Sequence, residues 1–442
     1  MPRFLRPAPP AGEQIVEPNE VARLFSHYRL RILIWSTIGY AGYYFVRKNL
    51  SVAMPELRDI LHISKTDLGN ILTLHGVAYG VAKFANGFLG DRANAPKFMA
   101  LGLILSAGMN LGFGLSSTTT AMGIFWLFNG WFQGMGYPPC ARLMTHWFPP
   151  NILTSRMALW NTSHSLGAAG VVILCGYLVP HLGWQSCFFV PAILATIVAC
   201  LLLAFLRDTP ESVGLPEVAG HSSRETETAF RTVLMTKVFC NPYIWLFSLA
   251  NFFVYTIRYG VLDWGPTLLK ESKGIEIRHG SWMVAGFEIA GLAGIVLTGW
   301  ITDRFFGGRG SRMCIVCMAL SGVAVFFFWR APAGNVWLNT MLMMFAGFFI
   351  YAPQALIGAM AANLGTKRAA ASAVGLTSLF GYVSTVISGR GLGQLADRYG
   401  WDAGFIALLI AAGVGTLLFA ATWPAKAHGY DETHTPHAAQ DS

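Results

Sequence analysis

The sequence predicts an all-α polytopic membrane protein: twelve transmembrane helices in two pseudo-symmetric six-helix bundles. Three observations carry that expectation. The first is composition, with 54% of the 442 residues hydrophobic, 12% charged and a mean hydropathy of +0.49. Soluble domains carry about 25% charged residues, so this chain has too little polar surface to dissolve. The second is a run of about twelve apolar stretches, each long enough for a hydrocarbon core about 30 Å thick. The third is internal repetition. Arg47 matches Arg258, Asp91 in LGDR matches Asp303 in ITDR, Tyr137 in MGYPP matches Tyr351 in FIYAP, and Trp184 matches Trp401, at offsets of 211, 212, 214 and 217 residues. A slowly rising offset is what a duplicated six-helix unit with small loop insertions gives.

Taken in order, the spans of the first half fall near 31–54, 67–89, 97–116, 120–146, 154–178 and 184–206. Those of the second fall near 243–268, 281–302, 313–330, 337–362, 369–394 and 402–423. The organisation expected is an N-terminal segment 1–28, a six-helix bundle 29–206, a polar linker 207–240, a second bundle 241–424 and a polar tail 425–442. Segment 1–28 lacks the short apolar core of a cleavable signal peptide, so the first span serves as the insertion signal. Basic residues crowd the short connections on one side: Arg23, Arg29 and Arg31, then Arg92 and Lys97, Arg304, Arg309 and Arg312, and Lys367 and Arg368. That distribution places both termini in the cytoplasm, and it explains the net charge of +9 without a nucleic-acid partner. The seven cysteines lie mostly in apolar runs and read as small packing residues. CIVC at Cys314 to Cys317 lacks a second ligand pair, so neither a metal nor a cofactor is expected.

Arg47 and Arg258 each lie 16 residues into their spans, counted from Arg31 and Pro242. At about 1.5 Å per residue, both guanidiniums reach the middle of the bilayer. An arginine there costs from about 2.5 kcal/mol upward, which makes an intramembrane arginine a functional-site candidate by default. Two in register point to an anion. A phosphate carries about −1.5 to −2 charges near neutral pH, and two guanidinium forks match that charge and its oxygen geometry. The plain alternative is a packing ion pair with Asp263 or Glu288.

Other intramembrane polar residues invite the same weighing. Lys48 and Lys83 either meet substrate or act structurally, Lys83 by snorkelling or pairing with a carboxylate. His164 sits in LWNTSHSLGAAG beside Trp160 and Asn161, as a ligand or as a hydrogen-bonded packing element. His75 and Arg390 are weaker candidates. Among the intramembrane aromatics, Tyr43, Tyr44 and Tyr255 lie within a helical turn of an arginine, and Tyr40, Tyr79, Tyr137, Tyr351 and Tyr382 lie farther along the spans. Asp91-Arg92 and Asp303-Arg304 occupy equivalent connections, either as helix-end topology signals or as a state-dependent charge latch. No phosphate-cradling GxxxxGK[ST] loop and no soluble catalytic domain is present, so neither ATP drive nor enzymatic activity is expected.

The segments FVRKNLSVAMP, AYGVAKF, GWFQGMGYPPCARLMTHWF, RDTPESVGLP, VYTIRYGVLDWGPTLLKE and FFIYAPQALIG together resemble the organophosphate:phosphate antiporter family of the major facilitator superfamily. The resemblance runs from about residue 30 to about residue 424. It implies exchange of an organic phosphate (glycerol-3-phosphate, hexose-6-phosphate or phosphoglycerate) for inorganic phosphate by rocker-switch alternating access. It implies a monomer in the bacterial inner membrane. Arg47 and Arg258 would hold the phosphoryl group, and Lys83, His164, Trp160, Tyr351 and Tyr382 would line the cavity. Tyr44, Tyr255, Tyr137 and Asn161 complete the candidate substrate set. Lys48, Asp263 and Glu288 match residues that exchange salt bridges between states. Arg390 departs from the glycerol-3-phosphate pattern. Two rival functions stay open at this point, a membrane sensor of external sugar phosphate and a proton-coupled organic-anion importer using Asp263, Glu288 or His164.

Overall fold

In the computed structural model the described residues are 3–218 and 232–425, and all regular structure among them is helical. Much of the linker expected at 207–240, and nearly all of the tail expected at 425–442, lie outside the described residues. The first half comprises α1 (Pro18–Phe45), α2 (Leu50–Leu61), α3 (Lys65–Asp91), α4 (Ala95–Leu115), α5 (Thr119–Gln133), α6 (Tyr137–Trp147), α7 (Pro150–Asn161), α8 (Ser163–Leu182) and α9 (Ser186–Phe205). The second comprises α10 (Pro242–Lys273), α11 (Ile277–Phe306), α12 (Gly310–Arg330), α13 (Val336–Val383), α14 (Leu392–Tyr399) and α15 (Trp401–Ala421).

Nine helical stretches among the described residues are long and apolar enough to cross a membrane unaided. The remaining three crossings are α1 with α2, α3, and α5 with α6. Two of these are interrupted, at 46–49 and at 134–136, and α3 carries Lys83, His75 and two asparagines along its length. A glycine–methionine–glycine turn followed by Pro138 and Pro139 accounts for the second interruption, since neither glycine nor proline supports helix continuity.

Helix starts follow side-chain capping. Ser64 Oγ accepts from the Asp67 N–H at 3.0 Å, Asn94 Oδ1 from Lys97 at 3.1 Å and Asn241 Oδ1 from Tyr243 at 3.0 Å. α10 ends on Gly274 at φ 62, the left-handed conformation that glycine adopts without strain. Gly134 has a different reason to be glycine. A Cβ there would fall 2.7 Å from Ala82 and 2.9 Å from the Lys83 nitrogen, so α5 rests directly against the α3 backbone at Lys83.

Three boundaries differ from those expected. α1 begins at Pro18 rather than near residue 29, because Pro18 occupies the first turn and residues 19–30 contain neither glycine nor a further proline. The spans expected at 337–362 and 369–394 are separate, at Val336–Gly365 and Ser372–Tyr399, but the backbone connecting them is helical, since NLGTKRAAASA is rich in helix formers and holds a lone glycine. Finally, residues 208–215 fold back on the N-terminal segment. Ala11 N–H donates to Glu211 O and Ile15 N–H to Gly214 O, both at 2.8 Å. The buried Asp208 carboxylate accepts from the N–H groups of Ala8 (3.0 Å) and Ala95 (2.9 Å) and pairs with Arg142 at 3.2 Å.

Twelve crossings put both ends of the chain on one face, called here the terminal face; the other is the distal face. The two halves meet where α2 packs on α10, α8 on α11, and α3 on the π-helical turn Val386–Gly391 and on α14.

Candidate functional site

The site forms between the halves at mid-depth. Arg47 and Lys48 occupy the interruption between α1 and α2 and are 8% and 6% exposed. Arg258 stands in the middle of the unbroken α10, 3% exposed. The Arg47 guanidinium lies 4.0 Å from the Tyr79 ring centre and 5.4 Å from that of Tyr44. Arg258 lies 4.3 Å from Tyr351, 5.8 Å from Tyr259 and 5.9 Å from Tyr255. Between the arginines the rings form a relay, with Tyr79 and Tyr382 at 4.9 Å, then Tyr382 and Tyr255 at 6.0 Å. Such stacking helps to hold a cation away from water, at about 0.5–2 kcal/mol per contact.

Acidic partners are unevenly shared. Lys48 Nζ donates to Asp263 Oδ1 at 2.5 Å across the two halves. Arg258 Nη2 is 3.7 Å from Glu288 Oε1, and neither oxygen of that 1% exposed carboxylate has a hydrogen bond. Arg47 has no ion pair among the described residues. Lys83 Nζ donates to Tyr382 OH at 3.3 Å and lies 4.4 Å from the Tyr137 ring centre. The site therefore gathers four cations (Arg47, Lys48, Lys83, Arg258) against two carboxylates (Asp263, Glu288), an excess of two positive charges.

His164 closes one wall, 5% exposed, its ring 5.9 Å from Tyr44. Its Nδ1 meets the Asn161 carbonyl, and its buried Nε2 has no partner. Trp160 is buried against Tyr40 at 4.9 Å and Tyr137 at 5.5 Å, while Asn161 is exposed at the end of α7. Thus the structure brings Arg47, Arg258, Lys83, His164, Trp160, Tyr44, Tyr137, Tyr255, Tyr351 and Tyr382 to one region. His75 is elsewhere: its Nδ1 is 3.2 Å from the Trp126 carbonyl, inside the first half. Arg390 belongs to the π-helical turn, where its N–H donates to Thr73 Oγ1 at 3.1 Å and its side chain is exposed.

Residues not singled out beforehand seal the distal face. Glu271 of the second half pairs with Arg58 and, at 3.1 Å, with Lys65, and Lys270 pairs with Asp59 at 2.6 Å. Asp397 caps α3 from the other half, accepting from the N–H groups of Lys65 (3.2 Å) and Thr66 (2.6 Å) and from Thr66 Oγ1 (2.7 Å). At the terminal face no ion pair among the described residues joins the halves. Arg92, Asp303 and Arg304 are exposed there and form no ion pair among the described residues, and the Asp91 side chain lies outside the described ones. In this conformation the molecule is fastened at the distal face.

The sequence signature of the Major Facilitator Superfamily matches residues 36–388 and 266–438. A glycerol-3-phosphate transporter of Bacillus subtilis (strain 168) is 38% identical over 438 residues, covering 96% of this chain and 98% of its own. A probable hexose phosphate transport protein of Chlamydia pneumoniae is 36% identical, covering 96% and 97%. The membrane sensor protein UhpC of Escherichia coli (strain K12) is 34% identical, covering 94% and 96%. The solved structure of a bacterial homolog to the human lysosomal transporter Spinster superposes with a TM-score of 0.69 at 16% identity, over 89% of this chain and 94% of that one, a likeness of fold alone. The architecture and the paired intramembrane arginines are those of a multi-pass membrane transporter and not of an enzyme. The chain belongs to the major facilitator superfamily and, within it, to the organophosphate:phosphate antiporter family.

Proposed function

We propose that the protein is a secondary antiporter exchanging an organic phosphate of the glycerol-3-phosphate, hexose-6-phosphate or phosphoglycerate class for inorganic phosphate. The observation that carries this is the excess of two positive charges in the cavity. It equals the charge of a phosphate dianion, about −2 above its second pKa near 6. Arg47 and Arg258, one from each half, take the phosphoryl oxygens, with Lys83, His164 and the tyrosines around them. The arginine pair treats inorganic phosphate and a phosphate ester alike, which is the requirement for exchange.

The same charge excess couples binding to movement. Bringing the halves together around an empty cavity would force unpaired cations into lower dielectric, where each costs several kcal/mol. A bound dianion removes that cost, and it biases the transition only by binding one state more tightly. The bundles 29–206 and 241–424 rock about the site, the distal ion pairs and the Lys48–Asp263 bridge exchanging partners as they do. The terminal face is cytoplasmic, the membrane is the bacterial inner membrane, and the protein works as a monomer.

Counterflow from phosphate-loaded proteoliposomes tests the reading. Uptake of glycerol-3-phosphate, glucose-6-phosphate or 3-phosphoglycerate should require internal phosphate and survive collapse of the proton gradient. Uptake that needs the gradient and ignores internal phosphate would indicate proton-coupled import. The 34% identity to a membrane sensor favours one alternative reading, detection of an external sugar phosphate. Saturable phosphate-ester binding without exchange would establish it.

A further inference from the structure

The Arg47 end of the site depends on three buried amides that no part of the transport scheme yet uses. α1 stops at Phe45 and helix resumes at Leu50. Within the gap the Arg47 N–H turns to Tyr44 O at 3.2 Å, which releases the Tyr43 carbonyl from its helical partner four residues on. Tyr43 and Val46 are 1% and 0% exposed. A buried carbonyl without a donor is disfavoured strongly enough that such a gap survives only where donors are supplied. Gln133 Nε2 donates to Tyr43 O at 3.1 Å. Val46 O receives Asn110 Nδ2 at 3.0 Å and Asn129 Nδ2 at 2.9 Å. Asn110 Oδ1 in turn accepts from Asn49 Nδ2 at 2.8 Å, which fixes the residue where helix restarts.

Asn129 and Gln133 are four residues apart on α5 and so share the face turned to α1, while Asn110 comes from α4. Arg258 has no such apparatus, because α10 is continuous through it. We infer that Asn110, Asn129 and Gln133 are positioning residues for substrate binding: they hold the unwound turn of the first span open and thereby aim Arg47 at the anion. The inference rests on the phosphate-binding reading of Arg47. It assigns the work of distant amides on two other helices to one guanidinium of the pair.

Equilibrium binding of radiolabelled inorganic phosphate to the purified protein decides it. Gln133→Met and Asn129→Leu each remove the amide donor at similar bulk without adding charge. Each should weaken phosphate binding about tenfold, equivalent to about 1.4 kcal/mol. In an Arg47→Lys background the same substitution should add little, whereas in Arg258→Lys it should add its full effect. A purely structural role would instead lower the melting temperature and weaken binding equally in both backgrounds, and that result overturns the inference. So does unchanged binding in a folded Gln133→Met protein. If the wild-type protein binds no phosphate, the functional reading falls and the positioning claim is decided separately. The reaction rate of Arg47→Cys with a charged thiol reagent, with the seven native cysteines replaced, must then change about tenfold on adding Gln133→Met. An unchanged rate overturns it.

Discussion

Replacing Asp397 by alanine should unfasten the distal face while leaving the binding site intact. The carboxylate reaches across from the second half to cap α3 of the first, with two backbone N–H groups and the Thr66 hydroxyl as donors at 2.6–3.2 Å. Loss of a helix cap costs about 0.5–2 kcal/mol. Loss of a negative charge from a helix N-terminus adds about 0.3–1 kcal/mol. The Lys65 pair spans 3.9 Å with the Asp397 side chain 24% exposed, and after solvent screening it contributes about 0.5 kcal/mol or less. Because every one of these contacts crosses the interface, about 1–3 kcal/mol leaves the distally closed state alone, a shift of about 5- to 150-fold in the conformational equilibrium. Spin labels at Ser117 and Ala333, exposed distal positions on opposite halves, would read the opening as a longer, broader distance distribution after the exposed Cys200 and Cys240 are removed. Asp397→Asn, which keeps an acceptor and loses the charge, should fall between. An unchanged distribution in Asp397→Ala would refute the cross-half cap as a closing force.

Three further outcomes follow from the same geometry. Arg47→Lys and Arg258→Lys should each nearly abolish phosphate counterflow, since lysine keeps the charge and loses the two-pronged hydrogen bond, for a loss of about 1.5–3 kcal/mol or more in binding. Lys48→Met alone strands Asp263, and Asp263→Leu alone strands Lys48, so either should destabilise the protein by about 3–5 kcal/mol, with the double substitution recovering most of the melting temperature. Asp208→Ala frees Ala8, Ala95 and Arg142 together, so chymotrypsin should cut after the exposed Phe4 several times faster than in the wild-type protein, as read by mass spectrometry of the shortened chain.

Sequence reasoning reached the paired arginines because an intramembrane charge is rare enough to stand out against apolar neighbours. It reached Glu288, Asp263 and Lys48 on the same ground. The distal seal escaped it for the opposite reason. Lys65, Glu271 and Asp397 sit at span ends, where charged residues are ordinarily solvated, and their pairing requires two halves separated by about two hundred residues of chain. Tyr259 was hidden in a different way, and Tyr79 stood only within a general set of intramembrane rings: thirteen percent of the chain is aromatic, and nothing in spacing alone says which rings face a guanidinium. The interruption at 46–49 left no glycine or proline in the sequence, because the cause is amide donors on α4 and α5. At 134–136 the break does coincide with glycine and proline, but Pro353 and Gly375 lie inside the unbroken α13, so residue type alone does not locate a break. The helical connection near 365 shows that helix-favouring composition can set the backbone even in a charged link between spans.

The span that ends in α14 carries part of the site and part of the distal seal on one length of backbone. Tyr351, which lies under Arg258, and Tyr382, which receives Lys83, are carried on one run of helical backbone from Val336 to Val383. The first joint beyond them is the π-helical turn Val386–Gly391, and past it α14 bears Asp397. Fifteen residues of chain thus separate the hydroxyl that receives Lys83 from the carboxylate that caps α3 across the two halves, with one change of helical pitch between them.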